Sequence, residues 1–187
     1  AANAGTSKHH CCAASPRETT ITATMDDLWL SVRLLLLLGV ANSAPIAAKH
    51  LLGMRWSAPL DAGWRFVDGR PLLGASKTVR GFVAAVVGAA IAAELLGLSL
   101  RLGAEVGALA MVGDALSSFV KRRLGIAASG RATGIDQIPE ALLPLLVIRG
   151  TLGLSWLQVA VITLVFFALE IPLARLLFRL GLRDRPY

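Results

Sequence analysis

Apolar segments long enough to cross a bilayer recur along this chain, and every second connection between them is rich in cations. The first segment lies at about 28–52, around the unbroken run Leu34-Leu35-Leu36-Leu37-Leu38. Others follow at about 82–100, from 103 through Asp114, at 138–154 and at 156–178. A membrane helix needs about 20 mainly apolar residues. Backbone in hydrocarbon must satisfy its own hydrogen bonds, which leaves the helix as the solution for segments of this length. The composition agrees: 55% of residues are hydrophobic, 17% are charged, and the mean hydropathy is +0.65. Soluble domains average about 45–50% apolar and about 25% charged. The expected fold is therefore all-α, a polytopic membrane protein with about five transmembrane helices. One membrane-embedded domain over 25–187 uses nearly all of the 187 residues.

Residues 1–24 are rich in Ala, Ser and Thr and have no apolar periodicity, so they are expected to be a disordered extension. They lack the apolar core of a signal peptide. Met25 is the first methionine, and one hypothesis makes it the native start; upstream residues found by N-terminal sequencing would refute it. The run His9-His10-Cys11-Cys12 contains metal-ligand types, but adjacent positions rarely suit one tetrahedral site and no second ligand pair follows.

The cations sort by side. Loop 53–81 carries Arg55, Arg65, Arg70, Lys77 and Arg80. Segment 121–137 carries Lys121, Arg122, Arg123 and Arg131, and the final stretch carries Arg175, Arg179, Arg183 and Arg185. The opposite connections hold only Arg101 and Arg149, apart from the N-terminal extension. With five spans, the positive-inside rule puts the N terminus outside and the three cationic regions, with the C terminus, in the cytoplasm. The formal net charge of +7 then reflects membrane orientation and calls for anionic lipid or nucleotide phosphate as partners, without nucleic acid.

Polar residues at membrane depth are the next constraint, because they are costly there and mark function. Asn42 precedes Pro45 in the first segment, and the proline is expected to kink or break the helix; either the kink is tolerated with Asn42 bonded to a freed carbonyl, or the break lines a polar pocket with Asn42 in it, the favoured reading. The second segment is dominated by small residues, with Ala85, Ala89 and Ala92 at helical spacing and Gly88 nearby, which favours close helix contact. Glu94, near its far end, reads as interfacial. Loop 53–81 is long for a connector. It places Gly74 and Gly81 beside Lys77, Thr78 and Arg80, residue types that suit phosphate: glycine lets backbone N–H groups approach and the cations neutralise the oxygens. It is not a Walker loop.

The stretch 113–123 carries the densest chemistry. On a helix, Asp114, Ser117, Ser118 and Lys121 fall at i, i+3, i+4 and i+7 and share one face. A Gly-rich loop then delivers Asp136 to the start of the next helix, with Pro139 in its first turn. Asp136 is either an ordinary N-cap or a metal ligand, or both. Two carboxylates, Asp114 and Asp136, suit a hard cation with oxygen ligands. Mg²⁺ fits best, because it needs only one or two carboxylates plus substrate phosphates. Lys and Arg beside it could stabilise charge in phosphoryl or nucleotidyl transfer.

These residues carry a resemblance. Gly113-Asp114-x-x-Ser117-Ser118-x-x-Lys121-Arg122-Arg123-x-Gly125-Ile126, followed by Gly134-Ile135-Asp136-Gln137, resembles the signature of the CTP-dependent CDP-lipid synthases. Asp61-x-Gly63, Phe66-x-Asp68-Gly69-Arg70, Leu73-Gly74 and Lys77-Thr78-x-Arg80-Gly81 resemble the narrower CDP-archaeol synthase branch, related to the CDP-diacylglycerol synthases. The resemblance covers roughly 28–180. It implies an integral membrane cytidylyltransferase that joins CTP to a lipid phosphate, giving a CDP-lipid and pyrophosphate. It implies that Asp114 and Asp136 hold Mg²⁺ and that Asp114, Asp136 and Lys121 are catalytic. Lys77, Arg80, Lys121, Arg122, Ser117 and Ser118 would form the CTP- and phosphate-binding set. Asp68 and Arg70 belong to that set by ordering its loop, and Asn42 would line the lipid pocket. Two positions depart from the pattern. Ala127-Ala128 stand where diacylglycerol-type relatives have Lys-Asp, and Pro139 stands where an acid usually follows Asp-Gln, with Glu140 next. Whether Glu140 substitutes, and whether one or two metal ions bind, stays open at this point.

Two other readings compete. A non-catalytic lipid-phosphate binding or transport protein could keep the scaffold without needing its aspartates. A CDP-alcohol phosphotransferase would share the Asp68-Gly69 start, but its later Asp-x3-Asp is absent.

Overall fold

The structure is a computed structural model that describes residues 16–53, 55–126, 137–179 and 181, with side-chain surroundings from residue 24 onward. The helices are α1 (Pro16–Leu52), α2 (Val79–Leu95), α3 (Leu100–Arg123), α4 (Gln137–Leu152) and α5 (Trp156–Arg179). Among the described residues, β structure is confined to two isolated bridges in the α1–α2 loop, so the all-α expectation holds. The chain divides into two compact units, 1–30 and 31–187, and all that follows on helix contacts and chemistry concerns the second.

Two expectations need correction. The extension expected to be disordered over 1–24 is helical from Pro16. Proline is well placed in a first helical turn, and adding residues to an existing helix is far easier than starting one. Residues 1–15, with the His9–Cys12 run, lie outside the described residues. Pro45 does not break α1, which continues to Leu52. One missing N–H removes one bond from the ladder, and the helix closes over it as α4 and α5 do at Pro144 and Pro172. The count of about five spans is met only in part. Three described helical stretches are long and apolar enough to cross a membrane: Thr24–Leu52, Leu100–Arg123 and Trp156–Arg179. With 17 and 16 residues, α2 and α4 are about 24–26 Å long, short of a roughly 30 Å hydrocarbon core.

Each helix buries one face. On α1 the buried residues Leu34, Leu37, Leu38 and Ala41 recur at i, i+3, i+4 and i+7; on α2, Ala85, Ala89 and Ala93 lie four apart. Neighbours in sequence are neighbours in space, α2 with α3, α3 with α4 and α4 with α5. α1 lies along α2, with Val40 and Ala44 against Gly88 and Pro45 against Gly81. The small residues of α2 do allow close approach, but the decisive partners are glycines on α3. A Cβ on Gly103 would stand 2.4 Å from the Ala89 carbonyl oxygen, and one on Gly107 would stand 2.6 Å from that of Ala85. Small residues at such crossings let backbones meet, which is how helices hold together without a hydrophobic drive between them.

Helix starts are capped locally. Thr78 Oγ1 accepts from Gly81 N–H at 3.2 Å at the head of α2, and Ser99 Oγ accepts from Leu102 N–H at 3.2 Å at the head of α3.

Candidate active site

The α1–α2 loop is a folded structure. Leu60 N–H donates to Lys77 O at 2.7 Å and Val79 N–H to Ala58 O at 3.0 Å, which draws the two ends of the loop together. Within it, Phe66 N–H donates to Arg70 O at 2.9 Å and Leu72 N–H to Trp64 O at 2.9 Å, around a turn in which Gly69 supplies φ 75°.

Asp61 is the internal knot. Its Oδ1 accepts from Gly63 N–H at 3.1 Å, and its Oδ2 accepts from Leu73 N–H at 2.9 Å and Gly74 N–H at 3.1 Å. Burial pushes the Asp61 carboxyl up, but these N–H donors outweigh it and hold it below the ordinary value of 3.8. The sign follows: a carboxylate depressed in the folded state stabilises fully above its unfolded value, and that support is lost as pH falls through the lower folded value. The loop is thus secured at neutral pH and loosens only in strong acid. Asp61→Asn presents an amide N–H₂ toward backbone donors and should cost about 1–3 kcal/mol of loop stability. Hydrogen exchange at the Leu73 and Gly74 amides should accelerate at pH 7; unchanged protection there would refute the assignment.

This loop docks on the C-terminal end of α3. Lys77 Nζ donates to Asp114 Oδ2, and both side chains are about one-fifth exposed. Arg70 Nη1 donates to the carbonyls of Arg122 (3.1 Å) and Arg123 (2.8 Å). Arg123 reaches the other way: Nη1 donates to Asp68 Oδ1 at 2.5 Å and Nη2 to Pro71 O at 2.8 Å. Its guanidinium carbon lies 4.8 Å from the Phe66 ring centroid and 5.0 Å from that of Phe119. The two rings meet edge to face at 5.4 Å.

The face expected to unite Asp114, Ser117, Ser118 and Lys121 is the inward one. Ser117, Ser118 and Lys121 are buried, as is Arg122, and Asp114 is half-buried. Ser117 Oγ donates to Asp114 O at 2.8 Å. Arg80 is buried at the start of α2 and donates to the carbonyls of Gly53 and Arg55, so it ties off the end of α1. Buried cations are costly unless compensated. Lys121 and Arg122 gain from the negative end of the α3 dipole. Lys77 on Asp114, and the buried Lys121 and Arg122 about two turns further along α3, are cations of the kind that suit an anion.

α4 begins at Gln137, next to Asp136, which lies outside the described residues together with Ala127-Ala128. The N-terminal end of α4 is held hard against α3: a Cβ on Gly113 would stand 2.3 Å from Pro139 O and 2.9 Å from the Cα of Glu140. Glu140 is buried. No group of three or more His, Cys, Asp or Glu that could hold one metal occurs among the described residues.

Asn42 stands in the wall of a groove of about 330 Å³ between α1 and α5. Leu35, Val40, Ile46 and Phe166 form part of its apolar wall, and Ser43 and Glu170 are its other polar members. Ser43 is engaged with its own helix, its Oγ donating to Gly39 O at 2.7 Å.

The sequence signals assigned no role to Asp61 or Arg123. Asp61 was detectable as an Asx turn, an acid two residues before glycine. Arg123 stood in a cationic run and in the quoted signature, but nothing local pointed to its partners in the loop.

Comparisons with known proteins identify the family. The CarS-like CDP-archaeol synthase family model matches residues 27–106 and 95–187. The CDP-archaeol synthase of Sulfurisphaera tokodaii is 35% identical over 155 residues, covering 79% of this chain and 89% of that protein. That of Saccharolobus solfataricus is 33% identical over 138 residues, covering 71% and 80%. That of Thermofilum pendens is 32% identical over 158 residues, covering 79% and 76%. A solved structure described as an intramembrane enzyme for archaeal membrane lipids biosynthesis superposes with a TM-score of 0.60 at 29% identity, covering 75% of this chain and 90% of that one. With three helices suited to crossing a bilayer, this is an integral membrane protein. It belongs to the CDP-archaeol synthase family.

Proposed function

We propose that the protein is a CTP-dependent cytidylyltransferase that converts a membrane lipid phosphate to a CDP-lipid and pyrophosphate. The observation that carries this is the meeting of Lys77 with Asp114 on α3, the helix that also buries Lys121 and Arg122, in a chain whose curated relatives are CDP-archaeol synthases. An oxygen of the lipid phosphate attacks the α-phosphorus of CTP, the bond from that phosphorus to the bridging oxygen breaks, and pyrophosphate leaves. Lys77, Lys121 and Arg122 would hold phosphate oxygens and neutralise charge as it moves to the leaving group. Arg80 would add positive charge at the foot of the loop, with Ser117 and Ser118 lining the face between metal and phosphate. Asp68 and Arg70 would serve the phosphates through loop order. Asp114 and Asp136 would hold Mg²⁺, which when bound supplies Lewis-acid polarisation of the phosphoryl group. Lys77 pairs with the Asp114 carboxylate, and this reading places the phosphate-binding cation and the metal-binding acid side by side.

The α1–α5 groove, with Asn42 in its wall, would take the hydrocarbon part of the lipid. The reading also sets orientation: N terminus outside, C terminus and site in the cytoplasm, with α2 and α4 completing five crossings. The docking of loop 55–78 on the end of α3 supports it, since it brings the cations of both regions to one membrane side.

The test is Mg²⁺-dependent incorporation of labelled CTP by purified protein in lipid, across ether-linked isoprenoid and diacyl lipid phosphates. CDP-lipid with at least one of them is expected. None with either would leave the lipid-binding or transport reading in its place.

A further inference from the structure

We infer that Arg123 is a positioning residue for the nucleotide site, acting with Arg70 as a reciprocal clasp that presets the α1–α2 loop over Asp114. Two arginines cross the same seam in opposite directions. Arg70, from the loop, donates to the last carbonyls of α3, those of Arg122 and Arg123. These carbonyls are among those a helix end leaves without intrahelical partners; Gly125 N–H reaches that of Arg122 at 3.2 Å, and the loop adds a second donor there and a donor to that of Arg123. Arg123, from the helix, donates to Asp68 Oδ1 and Pro71 O, one acceptor on either side of Gly69 and Arg70. The planar fork of arginine serves two acceptors at once, and its faces lie near Phe66 from the loop and Phe119 from α3. Asp68 is itself held in its turn, accepting from Arg70 N–H at 3.0 Å. Each arginine thus braces the segment that presents the other.

The consequence falls on Lys77. Lys77 lies seven residues beyond Arg70, and Asp61 ties the intervening Leu73 and Gly74 into the loop body. A loop clasped at 66–71 and knotted at 73–74 delivers Lys77 to Asp114 without paying for loop ordering each time substrate binds. Gly125, just past α3, lies under the Arg70 guanidinium, 3.4 Å from an added Cβ to Nη1, so the helix exit is shaped around the clasp. Lysine at 123 would keep the charge but lose the fork and the ring contacts.

The inference rests on the nucleotidyl-transfer reading for its effect on catalysis, so its test has a readout that does not need turnover. Arg123→Gln, Arg123→Lys and Asp68→Asn are compared with Arg101→Gln, which removes an exposed ion pair with Glu105 elsewhere on α3. In all three clasp variants trypsin should cut after Arg65 about tenfold faster. The KM for CTP should rise about tenfold with a smaller change in kcat and a thermal midpoint near that of the parent protein; Arg101→Gln should change none of these. Parent-like cleavage in Asp68→Asn and Arg123→Lys, or a parent-like KM with the loop released, overturns the positioning role. If Arg123→Gln fails to fold, Asp68→Asn and Arg123→Lys decide, since Asp68 is partly exposed and its amide can still accept from Arg70 N–H within the turn. A parent protein that forms no CDP-lipid refutes the functional reading, and the cleavage rates still decide whether the clasp exists.

Discussion

Replacing Asp114 with Asn is expected to lower CDP-lipid formation by at least about 10²–10³-fold, the scale on which loss of one group that stabilises transition-state charge is felt. Asn has nearly the shape of Asp, so the change removes charge and little else. In the structure that charge has one described side-chain partner, Lys77. Both are partly exposed, so Lys77 keeps access to water when its partner is neutralised, and the fold should survive. The carboxylate itself is positioned by α3, whose length, inward face and contacts with α2 and α4 do not depend on it. Labelled-CTP incorporation and thermal unfolding of the same preparation check both halves. Normal turnover in the variant would remove Asp114 from the site; a collapsed fold would make it a structural acid.

A methyl group at Gly113 should be among the most damaging small changes in the chain. An added Cβ would stand 2.3 Å from Pro139 O, 2.7 Å from Pro139 C and 2.9 Å from the Cα of Glu140. All three atoms are backbone, so no rotamer change can relieve the clash; α3 and α4 must separate. Overpacking of this kind costs about 1–3 kcal/mol, and in a chain of this size each kcal/mol lowers the thermal midpoint by about 2–4 °C. The displaced end of α4 follows directly on Asp136, so CTP turnover should fall with stability. Gly150→Ala is the matched control: it also lies on a helix, but a Cβ there meets nothing within 4 Å. It should be neutral or slightly stabilising, because alanine is the better helix former. Equal midpoints for the two variants would refute the close α3–α4 contact.

The two predictions differ in how visible their residues were beforehand. Asp114 announces itself in the sequence: a carboxylate followed at helical spacing by Ser117, Ser118 and Lys121, in a strongly apolar context. Gly113 does not. Glycines are common in membrane helices, and nothing local separates Gly113, against a backbone carbonyl, from Gly39, with open space around it. The same contrast runs through the loop. Lys77 was legible as a cation among glycines, but its place on Asp114 was not. Arg70 was legible as a motif residue, but its use in capping α3 was not.

What the sequence by itself determined is what short-range physics controls. Runs of apolar residues impose helices, their periodicity chooses the buried face of each, and the siting of cations marks one side of the membrane. Five helices and the shared inward face of 114, 117, 118 and 121 follow from that. The tertiary structure decided which faces meet and what each charge finds there. It put the α3 glycines on the backbones of α2 and α4 and Lys77 on Asp114. It also set Arg70 and Arg123 across one seam, with partners more than fifty residues away along the chain. Such contacts depend on how helices dock, and docking is a sum over many weak surface matches that no local pattern encodes.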